Sequence, residues 1–263
     1  MPFSVRDLAR CKAEGRRFAV LTAYDFPTAR ILDEAGIPVL LVGDSLGQVV
    51  LGYDTTIPVT MDEMLHHTRA VARGAHNALI IGDMPFGSYQ ESVGEGVRNA
   101  VRFLKEGGAH VVKIEGPRHD LSAALTEVGV PVMGHLGLTP QSVHAMGGYR
   151  VQARSEEAAA RLLADSLELQ KAGACSLVLE GIPAAVAATV TRTVAIPTIG
   201  IGAGPHCDAQ VLVVNDLLGL GTGPYPKFVK TYANLGDAIA RAATQFRTEV
   251  EAGTFPDETH SYS

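Results

Sequence analysis

The 263 residues carry 22 Lys and Arg against 28 Asp and Glu, a formal net charge of −6. With 46% hydrophobic residues the chain has ample material for a packed core, which excludes whole-chain disorder. The mild acidity, without a basic stripe, argues against a nucleic-acid partner, and the length suits one (β/α)8 barrel or a doubly wound sheet.

The N-terminus reads MPFSVRDLARCKAEGRR, charged where a signal peptide would be apolar. Ser4–Glu14 is predicted as an extra helix before the barrel. No run of 18 apolar residues occurs, so no membrane span is expected. The cysteines Cys11, Cys175 and Cys207 are far apart and form no CxxC pair. That speaks against a disulfide framework or a cysteine zinc site and for a reducing, cytoplasmic setting.

Eight short apolar runs follow: Phe18–Tyr24, Val39–Asp44, Leu79–Met84, Val111–Glu115, Val130–His135, Ser176–Glu180, Pro197–Ile201 and Val211–Asp216. Continuous rather than alternating apolarity marks strands covered on both faces, as in parallel sheets. Helices are expected at Asp25–Ala35, Thr60–Arg73, Val93–Glu106 and Ser155–Ala172, each ending at glycine. Thr60 and Glu63 form a capping box. The alternation predicts a (β/α)8 barrel as a single domain over 1–263. Its weak point is the last pair, because only Gly204–Gln210 separates strands seven and eight. Lys230–Glu251 reads as a terminal helix and Glu251–Ser263 as a polar tail. Leu46–Val59 is a loop long enough to close over a site at the barrel mouth.

Barrel active sites form at the C-terminal ends of the strands, and five consecutive strands here end in ionisable groups. These are Asp44 with Ser45, Asp83, the pair Lys113 and Glu115, His135, and Glu180. Strand period places Lys113 and Glu115 on one face and Ile114 on the other. Singly, each has an ordinary explanation: Asp44 or Asp83 as a helix cap, Lys113 and Glu115 as a structural ion pair, His135 as a core histidine. Together they imply a functional site, since burying unpaired charge costs several kcal/mol. Two aspartates on adjacent strands suit Mg2+, with positions left for a 2-oxo acid. Lys113 suits a substrate carboxylate; a Schiff-base role is also open to it, although surrounding carboxylates would keep it protonated. Glu180 lies across the barrel from Asp44 and suits a general base. Gly200–Gly204 is a weak phosphate-loop signal. Glycine, 28 residues in all, exceeds the roughly 7% average. Some stops helices; the rest, at Gly43, Gly82, Gly116, Gly134, Gly181 and Gly202, is expected to leave room for a chelated substrate.

Several segments recur together. They are T-A-Y-D at 22–25, V-G-D-S at 42–45, D-M-P-F-G-S-Y at 83–89, K-I-E-G at 113–116, G-H-L-G-L-T-P-Q-S at 134–142, G-G-Y at 147–149, I-G-I-G-A-G at 199–204 and P-K-F-V-K at 226–230. Through them the chain resembles the ketopantoate hydroxymethyltransferase family over essentially its full length. The resemblance implies a (β/α)8 barrel of the phosphoenolpyruvate/pyruvate superfamily. It implies one-carbon transfer from 5,10-methylenetetrahydrofolate to 3-methyl-2-oxobutanoate, giving 2-dehydropantoate through an enolate that Mg2+ stabilises. It implies Mg2+ on Asp44 and Asp83 with Glu115 contributing, oxo-acid contacts from Ser45 and Lys113, His135 beside the substrate, and Glu180 as base. A homodecamer is the assembly it implies. Two departures stand out: Arg150 and Ala153 replace the family's usual lysine and glycine. A 2-oxo acid aldolase or lyase on the same barrel is the rival enzyme, separable by dependence on folate; a non-catalytic barrel would bind no Mg2+.

Overall fold

Val, Ile and Leu in unbroken runs make strands that need cover on both faces, and a closed barrel supplies it. The computed structural model describes residues 2–221 and 223–262. Among these, eight parallel strands close in sequence order, β1 pairing with β8. They are β1 Phe18–Thr22, β2 Val39–Val42, β3 Leu79–Asp83, β4 Val111–Glu115, β5 Val132–Gly137, β6 Ser176–Glu180, β7 Thr198–Ile201 and β8 Ala209–Leu212. The helices are α1 Val5–Glu14, α2 Phe26–Glu34, α3 Leu46–Val49, α4 Met61–Gly74, α5 Val93–Arg102, α6 His119–Glu127, α7 Glu156–Lys171, α8 Ala184–Thr193, α9 Val214–Leu218 and α10 Leu235–Glu251. The chain divides into two compact units, one reaching Val213 and one beginning at Val214. The first holds the barrel; the second holds α9, α10 and a 3-10 turn at Glu258–His260. Ser263, the end of the expected tail, and Thr222 lie outside the described residues.

The barrel interior changes character along its axis. Its base is apolar: Val20, Val39, Leu41, Leu79, Ile81, Val111, Met133, Val178 and Val211 pack with Leu8 and Cys11 of α1. The predicted N-terminal helix therefore plugs the base. Each fully buried aliphatic side chain there contributes about 1.5–3 kcal/mol. Alternation then carries the inward face of β4 from Val111 to Lys113 and Glu115, and that of β5 from Met133 to His135. The apolar base sets the register; the charged rim follows from it, two residues further along.

Most elements match the sequence reading, and the capping box Thr60–Glu63 is present. Helices α6 and α8, not expected, complete the outer ring. No helix links β7 to β8 among the described residues; β8 begins at Ala209, and Val214–Leu218 is helical where the strand was expected to continue to Asp216. An unbroken Val-Leu-Val-Val run carries no period to mark a strand-to-helix boundary. The long segment after β2 is not all loop either, since it opens with the single turn α3.

Glycines beside the rim charges serve packing rather than substrate at two positions. A Cβ on Gly82 would collide with Cδ1 of Phe103, whose buried ring opens a π-helical turn after α5. One on Gly134 would meet Leu169 and Leu177 at 3.0 and 3.1 Å. Both positions face the helices, where they allow close approach.

Candidate active site

The strand ends bring Asp44, Asp83, Lys113, Glu115 and His135 into one buried cluster, each at most 4% exposed. Lys113 sits at its centre. Its Nζ lies 2.7 Å from Asp83 Oδ1, 3.7 Å from Glu115 Oε1 and 3.3 Å from His135 Nδ1. The other Asp83 oxygen accepts from the Asp44 N–H at 3.1 Å. Asp44 Oδ2 accepts from Gln141 Nε2 at 2.9 Å. Neither aspartate caps a helix, so that ordinary explanation falls away. Ser45 Oγ is 2.8 Å from the buried Tyr24 hydroxyl. His135 bridges two carboxylates, with Nδ1 3.5 Å from Glu115 Oε1 and Nε2 3.2 Å from Glu180 Oε2. Glu180 differs from the rest: its side chain keeps 18% exposure, and β6 stands opposite β2 in the strand order.

Three buried carboxylates share one ammonium, and the electrostatics show the strain. Burial, then the Asp83 and Glu115 charges, pushes the Asp44 carboxyl well above its usual range. Burial also pushes Asp83 up, although Lys113 opposes it. For Glu115, burial is outweighed by Lys113, His135 and the Gln141 N–H, which hold the acid below its ordinary value. Burial alone would lower the Lys113 pKa, but Asp83, Glu115 and Asp44 override it. These charges favour the ammonium form of Lys113. For His135, burial and Lys113 favour the neutral ring, while Glu115 and Glu180 win and bring the pKa to about 9.

This donor set fits a divalent cation. Its hard oxygens carry more negative charge than Lys113 neutralises, and the buried Glu115 Oε1 has no hydrogen-bond partner among the described residues. No group of three or more His, Cys, Asp or Glu side chains is gathered as a cage among those residues. Mg2+ does not require one, since it is usually held by one or two carboxylates with waters and substrate oxygens.

Three residues near the cluster had no role in the sequence reading. Gln141 and Tyr89, each 3% exposed, bond directly to it. Tyr149 is half exposed, yet burial and then the Asp44 and Glu180 charges raise its phenol pKa. It lies on a segment whose Gly147 and Gly148 take φ of 67° and 109°. All three lie inside segments that carried the resemblance, which was the available signal. The departure at Ala153 also has a structural meaning: its φ of 53° is left-handed, where glycine is favoured.

The comparisons agree with the fold and extend it. Phosphonopyruvate hydrolase, solved in complex with oxalate and Mg++, superposes with a TM-score of 0.62 at 14% identity, covering 99% of this chain and 93% of that one. 2,3-Dimethylmalate lyase, a PEP mutase/isocitrate lyase superfamily member, gives 0.59 at 16%, covering 100% and 93%. At such identities the likeness is one of fold. The 3-methyl-2-oxobutanoate hydroxymethyltransferase of Thermobifida fusca is 58% identical over 262 residues, 99% of this chain and 93% of the relative. The enzyme of that name from Syntrophus aciditrophicus is 57% identical over 253 residues, 95% and 93% of the two chains. The family model described as ketopantoate hydroxymethyltransferase matches residues 2–258. The match over residues 2–258 and the identity to these relatives thus assign this chain to the ketopantoate hydroxymethyltransferase family, a family of enzymes.

Proposed function

We propose that the chain transfers a one-carbon unit from 5,10-methylenetetrahydrofolate to 3-methyl-2-oxobutanoate, giving 2-dehydropantoate for pantothenate synthesis. Asp44 and Asp83, with Glu115 beside them, would hold Mg2+, which when bound polarises the 2-oxo group and acidifies the neighbouring C3–H. The Lys113 ammonium and the Ser45 hydroxyl hold the substrate carboxylate. His135 contacts the bound acid and orients Glu180. Glu180 removes the C3 proton, and the carbon nucleophile so formed attacks the methylene carbon of the iminium form of the folate, in which one methylene–nitrogen bond has already opened. Water then displaces the remaining methylene–nitrogen bond, its hydroxyl going to the product and its proton to the nitrogen, so that tetrahydrofolate leaves. Holding both substrates on one rim lowers the entropic barrier to the carbon–carbon step.

The observation that carries the catalytic assignment is the contrast among the rim carboxylates. Asp44, Asp83 and Glu115 are sealed, while Glu180 keeps 18% side-chain exposure on the opposite wall. The experiment is Glu180→Gln with substrate deuterated at C3. Loss of solvent exchange at C3 supports the assignment; exchange at the parental rate removes Glu180 as the base. Turnover that requires both methylenetetrahydrofolate and Mg2+ tests the donor and the metal.

The chain would act in the cytoplasm, where its three free thiols fit a reducing setting, and as a homo-oligomer, in keeping with the family's decamer. Support for assembly comes from α10, whose Leu235, Ile239, Phe246 and Val250 form an exposed apolar stripe.

A further inference from the structure

The T-P-Q-S segment makes a 3-10 turn at Pro140–Ser142. The first N–H groups of such a turn have no partner within it. The Gln141 N–H is one of them, and it donates to Glu115 Oε2 at 3.0 Å. The Gln141 side chain reaches the other way. Its Nε2 donates to Asp44 Oδ2 and to the Met84 carbonyl, both at 2.9 Å. Its Oε1 accepts from the Tyr89 hydroxyl at 2.7 Å and from Gln90 Nε2 at 3.1 Å. Tyr89 in turn accepts from the Glu115 N–H at 3.0 Å.

The polarity of this network is fixed. The Tyr89 oxygen receives the Glu115 N–H, so its single proton goes to Gln141. A flipped Gln141 amide would set its oxygen against Asp44 Oδ2 and the Met84 carbonyl, and its nitrogen against the Tyr89 and Gln90 donors. The amide therefore has one orientation, with its NH2 toward Asp44.

We propose that Gln141, held by Tyr89, is a positioning residue that clamps the Asp44 and Glu115 carboxylates in one geometry and thereby sets the affinity of the rim for a divalent cation. One residue spans the ends of β2 and β4, and its orientation is locked from β3 through the segment bearing Tyr89. Asp44 engages Gln141 through Oδ2, and the carboxylate would keep acceptor sites for a cation. Outer partners of this kind are worth about 10–100-fold in metal affinity or activity. The proposal rests on the metal reading of the proposed function.

The test is Mn2+ binding to the full-length, metal-free protein, followed by electron paramagnetic resonance, with thermal unfolding recorded alongside. Gln141→Met keeps the length of the side chain and removes both amide functions; Tyr89→Phe removes only the hydroxyl. In folded variants the Mn2+ dissociation constant is expected to rise about 10–100-fold for Gln141→Met and about tenfold for Tyr89→Phe. The double variant should bind less weakly than the product of the two single effects, because Tyr89 acts chiefly through Gln141 and otherwise meets only the Glu115 N–H. Should Gln141→Met fail to fold, Tyr89→Phe still decides the matter. Parental Mn2+ affinity in the folded variants, even with lowered thermal stability, overturns the proposal and leaves the metal reading standing. A parental protein that binds no Mn2+ overturns that reading as well.

Discussion

Replacing Lys113 with methionine tests the electrostatic argument directly, because it removes the charge while nearly preserving the volume. At an effective dielectric of about 20, an ammonium 2.7 Å from Asp83 and 3.7 Å from Glu115 gains about 6 and about 4.5 kcal/mol. Much of that is offset by the cost of drying the ammonium itself, several kcal/mol. Its loss, however, leaves Asp83 and Glu115 buried without a counter-charge, and breaking a buried pair in this way costs about 3–5 kcal/mol. Against a total stability of about 5–15 kcal/mol, the metal-free variant should unfold at a much lower urea concentration than the parent at pH 7. The pH dependence has a definite sign. Asp44 and Asp83 already titrate above their ordinary values. A carboxyl whose folded pKa is raised weakens the fold as pH climbs above its unfolded value, about 3.9. Without Lys113 that rise is larger, so the deficit should be greatest at pH 7–8 and shrink toward pH 5. Mg2+ should restore more stability to the variant than it adds to the parent. Equal urea midpoints for parent and variant in the absence of metal would refute the reasoning.

Three further outcomes are expected. Asp33 of α2 accepts from the N–H groups of His76, Asn77 and Ala78 at 3.1, 3.0 and 2.7 Å, so Asp33→Ala should cost about 2–4 kcal/mol by thermal or urea unfolding. Burial pushes the Asp33 pKa up but those donors bring it below the ordinary value; its contribution is present above about pH 4 and lost as pH falls through the folded pKa. Ala153→Gly should stabilise by about 0.5–1 kcal/mol, since relief of left-handed strain of about 1–2 kcal/mol exceeds the added chain entropy of glycine; a lowered melting temperature would count against it. His135 in the metal-free protein should be doubly protonated at pH 7 and titrate near 9 by nitrogen NMR; its raised pKa adds stability below about pH 6.5 that disappears as pH rises through 9.

The rim was legible because strand period and strand-end position are both written in the chain. Once Val111 faces inward, Lys113 and Glu115 must follow it, and the motif spacing puts Asp44 and Asp83 on neighbouring strands. What escaped depended on contacts remote in sequence. Gln141 reaches Asp44 across 97 positions, and nothing in T-P-Q-S announces that partner. Gly82 looked like room for substrate because it precedes Asp83, yet its open side faces Phe103, 21 positions later in the chain. Helix α8 escaped for another reason: Ala184–Thr193 is all Ala, Val, Thr and one Arg, with no capping side chain to mark its start.

The placement of charge around the barrel also constrains the proposed reaction. A 2-oxo acid presents its carboxylate and keto oxygens from C1 and C2, and in the proposed complex these would lie near Asp44, Asp83 and Lys113, at the ends of β2, β3 and β4. C3 would then be the far end of the reacting unit, with its hydrogen directed away from those strands. A base on any of β2 to β4 would compete with the groups that hold the acid. Glu180, on the strand opposite β2, avoids that conflict. His135 stands between the two halves, 3.5 Å from Glu115 and 3.2 Å from Glu180. Its raised pKa, about 9, places a cation between the carboxylate proposed to face the metal and the one proposed to take the proton. An aldolase-type cleavage could use the same anion-binding half. Under the proposed assignment, proton removal at C3 would fall to the half bearing Glu180, and that is where the two reactions would differ.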